Sequence, residues 1–127
     1  HMKPEDIAVW ERFMLKNPKV YDTVDYDVAV GDGAPQSEDL PENIRADGKI
    51  LTQKKIDVVA YVGEIVHVIE VGPVADMRKL GQILTYLTLY ISEHPEATMI
   101  IPTIVCGRVE RELSKMFENY GIVIEVA

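Results

Sequence analysis

Two runs of apolar, β-branched residues, 54–62 and 65–72, are separated only by Gly63-Glu64. A two-residue Gly-X link closes a β-hairpin and fixes its register. Val62 then pairs with Ile65, and the same count sets Asp57 directly opposite Glu70. Facing side chains have Cβ atoms about 4.5–5.5 Å apart, so the two carboxylates repel. Their neighbours Val58, Val59, Val68, Ile69 and Val71 make the hairpin apolar on both faces. Charge stranded there costs several kcal/mol unless a cation, a shared proton or water compensates it. Hard oxygen ligands at this spacing suit Mg²⁺ or Mn²⁺, which take one or two carboxylates plus waters and phosphate oxygens. The plainer alternative is a pair of solvated acids at the rim of a sheet.

Around this hairpin the periodicity changes several times. Pro4, Glu5 and Asp6 open a helix carrying Ile7, Trp10, Phe13 and Met14, and Asn17-Pro18 ends it. Val24, Tyr26, Val28 and Val30 alternate with Asp25, Asp27 and Ala29, predicting a strand with one wet face. Residues 34–49 mix Pro, Gly and acids without a period and read as a long flexible loop. After the hairpin, Met77, Leu80, Leu84, Leu87 and Ile91 form a helical stripe over 75–92. Residues 97–105 read as a strand that Pro102 restricts to an edge or a bulge. A third helix through Phe117 stops at Gly121, and residues 122–126 make a last strand. The order is αβββαβαβ, an α/β fold with a mixed central sheet flanked by helices. His1-Met2 reads as a cloning remnant, leaving one domain over residues 3–127.

Ile56-Asp57-Val58-Val59-Ala60, a tight turn, then Val68-Ile69-Glu70-Val71-Gly72 resembles the motif of the PD-(D/E)XK nuclease superfamily. The helix that follows, with Leu80-Gly81-Gln82 and Tyr86, resembles that superfamily's next helix, where a Gln often points into the site. The resemblance covers residues 50–127 in element order. It implies a restriction-endonuclease-like fold, Asp57 and Glu70 as ligands of Mg²⁺ or Mn²⁺, and hydrolysis of DNA phosphodiesters. The motif lysine, which helps to position or activate the attacking water, is replaced by Gly72. The hairpin count sets residue 55 opposite residue 72, so Lys55 is the first substitute, with Lys79 on the next helix as the second. Glu11 on the first helix is a candidate third acid, against a plain solvated glutamate. Gln82 and Tyr86, four apart, share one helical face and would border the site.

The net charge of −8 opposes this reading in part, because duplex binding rests on Lys and Arg meeting phosphates. Residues 22–47 hold eight acids against Arg45 alone. Tight, non-specific DNA binding by a lone copy is therefore not expected. The alternative is an inactive nuclease-fold subunit that serves assembly, with a protein partner or its own copies, as in a phage or mobile-element nucleoprotein complex. Asp25 and Asp27, His67, His94, Arg108 and Arg111 read as structural or solvated. The single cysteine, Cys106, fits a reducing cytoplasm and has no histidine at a nucleophile's spacing. No apolar run reaches the roughly 18 residues of a membrane span, so no membrane association is expected.

Overall fold

The computed structural model describes residues 2–127. Helix α1 (Pro4–Lys16) is followed by strand β1 (Thr23–Val30), helix α2 (Glu42–Thr52) and the hairpin β2 (Lys54–Val62) and β3 (Ile65–Ala75). Helix α3 (Met77–Glu93), strand β4 (Met99–Val109), a 3₁₀ turn, helix α4 (Ser114–Asn119) and strand β5 (Val123–Val126) complete the chain. The five strands form one mixed sheet in the order β1-β2-β3-β4-β5, antiparallel across β1, β2 and β3 and parallel across β3, β4 and β5. The fold is thus α/β, a mixed sheet flanked by helices.

The hairpin closes as its turn dictates. Gly63 takes the positive φ (57°) that a two-residue link requires, and Val62 pairs with Ile65 through to Val58 with Ile69. On one face of the sheet, Val9, Trp10 and Phe13 of α1 pack on Val58, Ala60, Ile69, Val71 and Val105. On the other, Ile83 and Tyr90 of α3 and Phe117 of α4 cover Val59, Val66, Val68 and Ile104. Helices α1 and α3 thereby bury an apolar stripe against β-branched side chains, the main source of their stability.

The structure departs from the sequence reading at several points. Residues 34–49 are not one loop: Pro41 precedes α2, whose first turn carries Glu42. That helix buries none of its residues, so no core-facing period announces it. Strand β1 does not keep one face inward. Val24 packs with the α1 side, whereas Val28 and Val30 join the α3 side. The reversal falls at Asp27, whose φ of 52° is left-handed, and β2 reverses with it between Ile56 and Val58. On α3 it is Ile83 and Tyr90 that are buried, while Met77 and Ile91 lie exposed. Pro102 is buried within β4 and pairs with Val68, but β5 reaches β4 only from Thr103 onward, so β4 is locally an edge there.

A β-branched residue tolerates positive φ poorly, so Asp27→Val is expected to cost about 1–3 kcal/mol in urea unfolding. Asp27→Gly should cost less than that.

Candidate functional site

The β2–β3 ladder stops at Val58–Ile69, one pair short of the two acids. Beyond it, Asp57 N–H donates to Glu70 Oε2 at 3.0 Å, and Val71 N–H donates to Asp57 Oδ2 at 3.0 Å. Each carboxylate thus takes the place of a main-chain carbonyl on the neighbouring strand. Strand N–H groups point along the sheet, so both side chains lie in the gap where the strands part. On the other side of β2, Tyr26 pairs with Val58 and Val28 with Ile56. Between these pairs lie Asp57 and Asp27, the latter with a left-handed φ. The bend in β1 and the fork between β2 and β3 therefore meet at Asp57.

Both acids are nearly sealed, Asp57 at 4% and Glu70 at 2% exposure. Burial, reinforced by the negative charge of Asp57, raises the pKa of Glu70 from 4.5 to about 8. The Asp57 N–H bond and the positive charge of Lys79 oppose that rise without cancelling it. Burial and the same two acids also raise Tyr86.

The fork opens into a cleft of about 310 Å³. Lys55, Gln82 and Tyr86 line it together with Asp57 and Glu70, so the structure brings these sequence candidates into one place. The expected pairing of residue 55 with residue 72 is not made, because the strands have parted; Lys55 pairs with Ala29 of β1 instead. The space above Gly72 belongs to Lys79. A Cβ built at Gly72 would come within 2.5 Å of Lys79 Cε and 3.2 Å of its Nζ. The ammonium from α3 therefore lies where a side chain of residue 72 would begin. Asp76 caps α3 by accepting from Lys79 N–H at 3.0 Å, which fixes the helical turn that delivers it.

Gln82 Oε1 is buried and has no hydrogen-bond partner among the described residues. A buried amide oxygen of this kind calls for a donor or a cation. Among the described residues no group of three or more His, Cys, Asp or Glu is placed to hold a metal ion. Two buried carboxylates and the Gln82 amide oxygen are oxygen donors of the kind that a hard cation takes, one or two carboxylates at a time.

Glu11 is exposed on α1 and does not reach the cleft. Its place at the rim is taken by Lys3, Glu5 and Asp6, with Asp6 accepting from Lys3 N–H at 2.9 Å. In the sequence Glu5 and Asp6 read only as the opening of a helix, and nothing in the pattern sets them at the cleft. Arg78 is a further lining residue that the reading missed. The His67 ring is tilted against Tyr21 and His94 stacks on Tyr90, both outside the cleft, and Arg108 and Arg111 are exposed away from it. Cys106 is buried in the core, where burial pushes its thiol pKa up.

A crystal structure of a repair endonuclease from Pyrococcus abyssi matches 100% of this chain with a TM-score of 0.54 and 15% sequence identity. This chain spans 49% of that chain, about half its length. At that identity the likeness is one of fold, and the domain accordingly has a nuclease-like fold. No family model matches the sequence, and no curated protein matches it either. No helix among the described residues is long and apolar enough to cross a membrane.

The raised Glu70 pKa has a signed consequence. Between pH 4.5 and about 8 the folded state holds a proton that the unfolded chain has lost, so stability falls as pH rises. Thermal unfolding in the presence of a chelator should show that decline, and Glu70→Gln should flatten it.

Proposed function

We propose that this domain hydrolyses DNA phosphodiesters with the help of Mg²⁺ or Mn²⁺, using Asp57, Glu70 and Lys79. The observation that carries the reading is the meeting of two sealed carboxylates and one lysine ammonium at the fork of β2 and β3. Asp57 and Glu70 would hold the cation, which supplies positive charge against a phosphodiester and offsets the repulsion between the acids. Gln82 Oε1, lacking a protein partner, would turn to the same group or to water in its shell.

Lys79 takes the part that the superfamily's motif lysine plays from the strand. Its ammonium orients the attacking water and balances the charge that develops on the phosphate. Gly72 leaves room for this arrangement, because a side chain there would push the end of the lysine aside. Lys55, Lys3 and Arg78 line the same cleft and offer positive charge to the flanking phosphates. Lys55 is a phosphate contact in this reading, since its strand neighbour is Ala29. Tyr86 closes the cleft on the α3 side.

The alternative, an inactive subunit that kept the fold, is favoured by Gly72 at the motif position and by the net charge of −8. Calorimetry and cleavage separate the two. The proposal expects heat on Mn²⁺ addition that Asp57→Asn abolishes, and Mn²⁺-dependent cutting of linear, nicked or branched DNA. Lys79→Met should keep the heat yet lower cleavage by about 100-fold or more. Moving the lysine to the strand, as Gly72→Lys with Lys79→Ala, should restore part of it. Absence of both heat and cleavage in the unaltered chain selects the inactive subunit.

A further inference from the structure

In a β-strand, residues two apart share a face. Strand β1 breaks that rule once. Val24 packs on the α1 side, and the Tyr26 hydroxyl accepts from Trp10 Nε1 of α1 at 3.0 Å, whereas Val28 and Val30 join the α3 side. Strand β2 breaks the rule at the same level: Val58 and Ala60 lie on the α1 side, Ile56 on the α3 side. Tyr26 pairs with Val58 and Val28 with Ile56, so the residues between them, Asp27 and Asp57, stand across from each other. The two strands turn over together, each within one residue.

The peptide of Asp57 records the same turn. Val62 and Ile65 close the hairpin, so a regular β2 sends the N–H groups of Val58, Ala60 and Val62 to β3 and those of the odd-numbered residues to β1. Asp57 N–H would then point at Asp27. It donates to Glu70 Oε2 of β3 instead, at 3.0 Å. The Asp57 side chain is likewise turned toward β3, where its Oδ2 accepts from Val71 N–H at 3.0 Å.

The unusual torsion belongs to one of the two residues. Among the described residues Asp27 is the one non-glycine with a positive φ, 52°. Asp, Asn and Gly are the residues that take this conformation most readily. Asp27 is exposed and does not line the cleft, so its hold on the cleft runs through the strand pair.

We propose that Asp27 is a positioning residue for the fork: its left-handed backbone turns β1 over, carries β2 with it and swings the Asp57 carboxylate into the gap beside Glu70. A β1 that stayed regular would keep Asp57 N–H on the β1 side and let the ladder with β3 run on past Val58. As a device of the cation site the proposal rests on the reading of Asp57 and Glu70 as ligands; the geometry it assigns to Asp27 can be tested without a cation.

Two readouts test it. Couplings across hydrogen bonds in the isotope-labelled, cation-free chain should link the amide nitrogens of Asp57 and Val71 to the carboxyl carbons of Glu70 and Asp57. Asp27→Gly and Asp27→Asn, which accept the left-handed backbone, should keep both couplings and the Mn²⁺ affinity of the unaltered chain. Asp27→Val and the milder Asp27→Ala should lose both, the Asp57 nitrogen coupling to the carbonyl carbon of residue 27 instead. Calorimetry should show their Mn²⁺ affinity weakened about tenfold or more. A general loss of stability would neither reroute one amide nor be undone by glycine. Where the Val variant does not fold, the Ala variant carries the comparison. Couplings kept in the Ala variant would overturn the proposal. So would their loss in the Gly variant, which would give the role to the Asp27 carboxylate instead of the backbone. An unaltered chain that shows the couplings yet takes up no Mn²⁺ refutes the cation reading alone, and the couplings of the variants still decide what Asp27 does.

Discussion

The strands of the central hairpin part because two side chains do the work of main-chain carbonyls. Val71 N–H, which a continued ladder would satisfy, donates instead to Asp57, and Asp57 N–H, which a regular strand would aim at β1, donates to Glu70. Each of these bonds keeps a buried donor satisfied. The arrangement is self-consistent only at that point. Further toward the turn, the same strands carry Val59, Val66 and Val68, which the core needs. The fork, the cleft beneath it and the position of Lys79 over Gly72 all follow from this exchange.

The exchange has an electrostatic cost, visible in the raised pKa of Glu70. A buried pair of acids is stable as a shared proton or with added positive charge, and unstable with both groups ionised alone. Lys79 supplies part of that charge. The structure thus couples one strand pair to one helix: Asp76 sets the start of α3, the turn it opens carries Lys79, and the end of Lys79 lies over Gly72. In a chain whose net charge is −8, this cleft sets Lys3, Lys55, Arg78 and Lys79 beside Glu5, Asp6, Asp57, Glu70 and Asp76, so its charge is mixed.

Where the sequence was legible, the reason is periodicity joined to a short turn. Gly63-Glu64 leaves one register, so the nearness of Asp57 and Glu70 could be counted from the turn without coordinates. Where it was not, the controlling geometry leaves no trace in the pattern. The left-handed Asp27 leaves the alternation of residue types in β1 intact while reversing which face they serve. The apolar residues of α2 face outward, so a search for a core-facing stripe passes over it. Lys79 became more than a second candidate only when its side chain was found over Gly72, since the lost 55–72 pairing depends on a fork that pairing rules do not foresee. Pro102 sits in β4, a strand with neighbours on both sides, and is tolerated there because β5 pairs with β4 only from Thr103 onward.

The most direct test of the fork as a cation site is paramagnetic. Mn²⁺ added in small substoichiometric amounts to the isotope-labelled chain should broaden first the amide signals of Asp57, Glu70 and Val71, before those of the acidic segment 22–47. Broadening that begins in that segment and leaves Asp57 and Val71 sharp would contradict the account.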